Sequence, residues 1–399
     1  MKMYFWAWWI RRMINKTNKP KLSIFTIDFG MGGTERFISL LLPELIKDFE
    51  VTLVIFYNYI HFDIPKEVNL IILKPDTKKS KSYIFKLKNF TNLFIQYKRF
   101  IKKEGIDISF SLLPIPNIIN SFVAIGNKKV RTVISERCYP SLMYKGSRLQ
   151  MFLAKVFFPL LYNRTNVLFS NSEYINKDLK ENFGVKIPTK VIYNPITTNE
   201  NEKIDSETIK GSKTLNIINA GTIYSAKNQK LILEAMGLSP SGEFKLTILG
   251  NGELKEDLIT LSEQLNISNH LILEGKVSNV KEYLLNSDCF VLSSNTEGFP
   301  NVLLEALSVG LPSISTNCLS GPQEMLNDNE AVTIESGDFY KAKYGILVNV
   351  DDKEGLNKAM LYLKNNPEER QRYSQLGFER AKTYGLPKIY EQVKSLLNN

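Results

Sequence analysis

Cysteine and histidine are nearly missing from this chain of 399 residues: Cys138, Cys289 and Cys318 stand far apart, and His61 and His270 are the only histidines. Such spacing excludes a disulfide framework and a Cys/His zinc site, and it suits a reducing compartment. No apolar run reaches the ~20 residues needed to span a bilayer. The three tryptophans all fall within Met3 to Ile10 (MYFWAWWI), ahead of Arg11, Arg12 and Lys16 and with no small-residue cleavage site of a signal peptide. Aromatics beside arginines suit an interfacial membrane anchor over residues 1–20. The plainer readings are a true start at Met13 or a tail packed on the core.

Acidic residues are short in the first half. Residues 1–200 carry 31 Lys and Arg against 15 Asp and Glu, a net of +16, whereas residues 201–399 carry 20 against 26, a net of −6. A basic half points to an anionic partner, either nucleic acid or a membrane surface, and the aromatic-basic tail favours the membrane.

What the chain does have is apolar strands alternating with helical patterns, twice over. Strands are expected at Lys21–Ile27, Val51–Tyr57, Leu70–Leu73, Asp107–Leu112, Val130–Ser135 and Val167–Ser170. A helix is expected from Thr34 to Lys47 and a basic amphipathic one from Ser82 to Lys103. In the latter, Tyr83, Phe85, Phe90, Phe94 and Phe100 interleave with Lys86, Lys88, Lys98 and Arg99, either as a core-facing stripe or as a contact for lipid phosphate. A polar stretch without periodicity, residues 196–213, reads as a linker. Beyond it, strands are expected at Leu215–Ala220, Lys245–Leu249, Leu271–Leu273, Cys289–Leu292, Ser313–Ser315 and Gly345–Val348. The division is therefore 21–195, 196–213 and 214–384, with a last helix at 385–399, and the fold class is α/β with two doubly wound parallel sheets.

The richest stretch runs from Asp288 to Leu326. Cys289–Leu292 reads as a buried strand that ends in a polar loop, and Pro300 opens a helix carrying Val302, Leu303, Ala306 and Leu307 on one face. Free N–H groups at that helix start favour an anion, and ligands bind at the C-terminal ends of parallel strands. Glu297 and Glu305 flank this point and can accept hydrogen bonds from sugar or ribose hydroxyls. Read one at a time, they are a first-turn acid and a solvated helical residue. Together with Gly298-Phe299-Pro300-Asn301, Glu305-Ala306 and Gly310-Leu311-Pro312, they resemble the donor-site signature of retaining family-4 glycosyltransferases, two glutamates with seven residues between them around a Gly-Phe-Pro.

Further strings resemble the same family. Gly30-Met31-Gly32-Gly33 followed by TERFISLLLPEL resembles its first loop and helix, which implies that Gly32 and Gly33 border the donor. Ala220-Gly221-Thr222 with Lys227-Asn228 matches its Gly-Arg…Lys-Asn, in which arginine and lysine hold the donor diphosphate; Thr222 here replaces the arginine. Gly250 and Gly252 resemble its turn at the nucleotide, and Lys276-Val277 the stretch that lines the base. Ser135-Glu136-Arg137…Pro140 and Gly321-Pro322-Gln323-Glu324 resemble a subset that builds bacterial surface glycans from lipid-linked precursors. Many members place a histidine near position 136, and this chain has none there. Glu136 and Arg137 are therefore expected to shape the cleft and its catalysis, with a surface ion pair as the plainer reading, and Glu324 to lie on the acceptor side.

The resemblance implies the GT-B architecture, two Rossmann-like domains across a cleft, and sugar transfer from a nucleotide diphosphate with retention of configuration. It implies Glu297 and Lys227 as central catalytic groups, Glu305 on the ribose, and no metal or other cofactor, in keeping with the lack of an Asp-Xaa-Asp motif. The expected partners are a nucleotide sugar, a polyprenyl-diphosphate-linked glycan and the inner face of a membrane, not nucleic acid. An epimerase of the same fold or an inactive scaffold are the alternatives, and Thr222 is the best argument for the second.

Overall fold

The computed structural model describes residues 19–74 and 83–399; the aromatic-basic tail lies outside them, as do the side chains of residues 83–89. The first half comprises β1 (Lys21–Thr26), α1 (Gly33–Asp48), β2 (Glu50–Tyr57), β3 (Asn69–Lys74), α2 (Tyr83–Glu104), β4 (Ile108–Leu112) and α3 (Pro114–Gly126). It continues with β5 (Arg131–Glu136), α4 (Pro140–Met143), α5 (Arg148–Leu161), β6 (Val167–Ser170), α6 (Glu173–Phe183) and β7 (Thr189–Val191). These seven strands form one parallel sheet in the order β3-β2-β1-β4-β5-β6-β7.

The second half begins with β8 (Leu215–Ala220), α7 (Lys230–Met236), β9 (Phe244–Leu249), α8 (Lys255–Gln264), β10 (Leu271–Gly275), α9 (Val280–Leu285) and β11 (Cys289–Leu292). There follow α10 (Asn301–Ser308), β12 (Ser313–Thr316), α11 (Pro322–Asn327), β13 (Phe339–Lys341), β14 (Ile346–Val348), α12 (Lys353–Asn365), α13 (Pro367–Lys382) and α14 (Leu386–Asn398). Its sheet runs β10-β9-β8-β11-β12-β14-β13 and is parallel except for its edge, where β13 pairs antiparallel with β14. The expectation of an all-parallel sheet ending at Gly345–Val348 is corrected there. A three-residue strand, Phe-Tyr-Lys, is too short to show a period.

Helices cover both faces of each sheet, so central strands are largely buried; every residue of β4, β11, β12 and β14 is buried, the serines and threonine of β4 and β12 included. On α2, the core-stripe reading prevails where side chains are described. Phe90, Phe94 and Phe100 pack into the cluster around Phe25 and Tyr97, and Lys98 stays exposed. Local signals set the ends of the site-bearing helix: Pro300 caps α10, and Gly310, at φ +71°, stops it.

The chain passes between the halves twice. At residue 196 it enters the second, and there Ile196 exchanges backbone hydrogen bonds with Tyr384 and Leu386, where it returns. Helix α14 then packs Ile389, Tyr390, Val393, Leu396 and Leu397 into the core of the first half.

Candidate active site

Strand order reverses beside β1 and β4 in one sheet and beside β8 and β11 in the other. Loops leaving strand ends at such a reversal diverge and leave a crevice. The two crevices face one another, and residues from both line a cavity of about 460 Å³. Gly33, Thr34, Arg137, Tyr139 and Asn194 come from the first half; Tyr224, Glu297, Gly298, Phe299 and Asn301 come from the second. A neighbouring cavity of about 300 Å³ is bounded by Met31, Gly221, Thr222, Gly250, Lys276, Val277 and Glu305.

Lys227 lines neither cavity but touches a wall residue of each, Gly221 and Glu297. It lies in the loop ahead of α7, three residues before Lys230, rather than at the helix start expected from sequence. Its stem passes Gly221, and its ammonium sits 2.5 Å from Glu297, which also accepts from Ser294 Oγ at 2.6 Å. Burial works to lower the Lys227 pKa, but the Glu297 carboxylate outweighs it and holds the ammonium above its ordinary value. Asn228 stands behind the wall and donates to Asn295 at 2.9 Å and Asp351 at 2.7 Å.

Glu305 meets Arg36 of α1 across the cleft at 2.5 Å. Burial raises the Glu305 pKa against the opposing pull of that guanidinium. Glu35, one residue earlier on α1, has no such partner, and burial pushes its pKa up to about 7.

Arg137 is the cation that lines the larger cavity. Its guanidinium stacks 4.0 Å over Phe37 and donates through Nη2 to Asn194, which in turn donates to Asn301 at 2.5 Å. Nη1 is buried with no hydrogen-bond partner, and desolvation lowers the arginine's pKa to about 9. A guanidinium at a cavity wall with one buried N–H unpartnered is chemically suited to an anion.

Two glycines make these walls possible. A Cβ on Gly252 would lie 1.9 Å from the Ile223 carbonyl oxygen, and one on Gly298 would lie 2.6 Å from that of Arg137. Gly252 therefore stands behind the smaller cavity as packing between two loops, and Gly298 lets the second half touch the first. Gly32 is the N-cap residue of α1, and Pro300 plays the same part for α10.

Glu136 and Glu324 are not cavity walls. Glu136, the last residue of β5, turns inward, where Tyr162 Oη donates to it at 2.6 Å and Asn117 at 2.9 Å; burial pushes its pKa up to about 7. It forms no ion pair with Arg137, because successive strand residues face opposite sides. Glu324 is buried between the halves, accepting from Ser172 Oγ and from the Glu173 N–H at 3.1 Å. Its expected place on the acceptor side is corrected to an interdomain tie. Sequence reasoning missed Arg36, Tyr139, Asn194 and Tyr224; Asn194, before a proline just past a strand, is the one with a local signal. Among the described residues, no group of three or more His, Cys, Asp or Glu is placed to hold a metal.

Comparison with known proteins agrees with this geometry. Residues 200–380 match the family Glycosyl transferases group 1, and residues 31–200 match Glycosyltransferase Family 4. A Campylobacter jejuni relative, N-acetylgalactosamine-N,N'-diacetylbacillosaminyl-diphospho-undecaprenol 4-alpha-N-acetylgalactosaminyltransferase, is 31% identical over 92% of this chain and 97% of its own. Anabaena HepE, solved with UDP and glucose, superposes with a TM-score of 0.70 at 14% identity, over 94% of this chain and 99% of its own. Sucrose-phosphate synthase of Thermosynechococcus elongatus does so at 0.76 and 13% identity, over 94% and 98%. With both halves matched and a relative aligned end to end, this chain belongs to the group 1, family 4 glycosyltransferases and is an enzyme of the GT-B fold.

Proposed function

We propose that the enzyme moves a hexosyl or N-acetylhexosaminyl group, with retention, from a nucleotide-diphosphate sugar to a polyprenyl-diphosphate-linked glycan at the inner face of a membrane. A UDP-sugar is the favoured donor. The observation that carries this is the pair of cavities, one with Glu297, held by Lys227, in its wall and the other with Glu305. The nucleoside fits the smaller cavity, with ribose hydroxyls on Glu305 and the base along Lys276 and Val277. For that, Arg36 must yield its carboxylate partner. The sugar fits the larger cavity, where Glu297 accepts its hydroxyls once Lys227 swings to the diphosphate.

Chemistry then requires the C1–O bond to the leaving phosphate to break while the acceptor oxygen bonds C1 on the same face. The acceptor proton passes to a phosphate oxygen. Charge building on the diphosphate is met by Lys227 and by the first N–H groups of α10, which have no intrahelical partner. Arg137 supplies the second cation that Thr222 does not. No metal has a role in this scheme. The relatives support the substrates: the Campylobacter enzyme acts on a diphospho-undecaprenol glycan, and HepE holds UDP.

A thermal-shift panel of UDP, GDP, ADP and their sugar conjugates, with magnesium and with a chelator, tests the donor site. The expected outcome is stabilisation by UDP and its conjugates of ~2.7 kcal/mol at a hundredfold excess over Kd, indifferent to the chelator and lost in Glu305→Ala. Silence toward every nucleotide would sink the reading, and a product of inverted anomeric configuration by NMR would sink retention.

A further inference from the structure

Helix α5 is apolar on two opposite faces. Met151, Ala154, Phe158 and Leu161 recur at helical spacing and face the protein, three of them fully buried. Leu149, Phe152, Leu153, Val156, Phe157 and Leu160 form the opposite stripe and are between 36% and 63% exposed. One third of the large hydrophobic residues exposed among the described residues thus lie on this one helix. No apolar partner on the described chain covers them, and such a patch marks an interaction surface.

We infer that this face of α5 is the surface by which the enzyme docks onto an anionic lipid bilayer. Charge selects that occupant. From Arg137 to Ser172 there is no Asp or Glu, and Lys145, Arg148, Lys155 and Arg164 are all exposed. Arg148 and Lys155 fall along one edge of the apolar stripe on the helical wheel, where their stems can lie on it and their charges reach headgroup phosphate. A second copy of this chain would bring the same cations together and repel.

Position gives the docking its use. A four-residue turn, 144–147, joins the helix to Met143, which is half exposed and lines the larger cavity together with Leu142. The stripe therefore begins at the mouth of the cleft. A bilayer held there would present the acceptor hydroxyl of a lipid-linked glycan to the larger cavity without the prenyl chain leaving the membrane. This consequence rests on the acceptor proposed above; the docking does not.

The test uses full-length enzyme and a Phe152→Ser, Phe157→Ser, Leu160→Ser variant, all exposed positions away from the cavities. Co-sedimentation is measured with vesicles of phosphatidylcholine alone and of phosphatidylcholine with phosphatidylglycerol. Transfer is measured to a short-chain acceptor in solution and to a long-chain acceptor in vesicles. Wild type should bind the anionic vesicles, less so as salt rises, and the variant at least about tenfold more weakly. The variant should keep its melting temperature and its rate on the soluble acceptor while losing transfer in vesicles. Equal vesicle binding by both proteins overturns the docking face. So does a wild type that ignores vesicles and forms a dimer that the variant disperses. Vesicle binding by the wild type, lost in the variant, with no transfer to either acceptor would support the docking and refute the acceptor reading.

Discussion

Thr222 leaves the smaller cavity without the cation that the family pattern places there, while Arg137 brings one to the larger cavity with a buried N–H unspent. Replacing Arg137 with Ala should lower kcat by about 10²–10³ while UDP-sugar still stabilises the protein. Adding Thr222→Arg on that background should restore about tenfold. Steady-state kinetics and thermal shift on the three proteins check this, with Arg137→Lys as a folding control; unchanged kcat in Arg137→Ala would remove the arginine from the site. The neighbouring Glu136 shows what sequence hides at this scale. Two charged residues side by side suggest a pair, yet at a strand end one enters the core and the other the cleft, and only the paired strands decide which. Asn194 has a local turn signal in the proline that follows it, but its place in the cleft depends on Arg137 and Asn301, 57 and 107 positions away.

Elements that carry their own signals were legible: β6, β8 and β11 fall on the residues expected, because buried parallel strands are continuous apolar runs bounded by turns. The helix after Lys227 begins later than expected because Asn228 stands at φ +48° and Ala226 and Lys227 accept hydrogen bonds from the loop after β11, from the Asn295 N–H and Ser293 Oγ. The same loop carries a test. Gly252→Ala places a methyl carbon on the Ile223 carbonyl, so the two loops must part. A loss of about 2 kcal/mol or more in stability is expected, with weaker donor stabilisation, measured by denaturant unfolding and by UDP titration. An unaltered midpoint would show that the loops have slack. Helix α5 carries a different lesson: its two apolar faces are both visible in sequence, but which one is the core face depends on α3, α6 and β6 packing beside it.

For the whole molecule, function depends on two halves held in register. Glu324 ties α11 to the start of α6, and Arg36–Glu305 and Asn194–Asn301 cross the same cleft. Glu324→Ala leaves the Ser172 hydroxyl and the Glu173 N–H without their partner, so the halves should loosen. Small-angle scattering is expected to show a larger radius of gyration, and transfer should fall by about tenfold or more, while UDP stabilisation persists because the residues proposed to hold the donor sit mainly on the second half. Loss of nucleotide response in this variant would place Glu324 in the donor site after all. Sequence alone determined the alternation of strand and helix, the break near residue 196, the charge asymmetry and the signature around Glu297, since each depends on residues close together in the chain. Tertiary structure decided which carboxylates face the cleft, that Arg36 and Lys227 hold Glu305 and Glu297, and that one apolar stripe of α5 is exposed. Those outcomes depend on contacts between residues far apart in the chain, which the packing of the two sheets brings together.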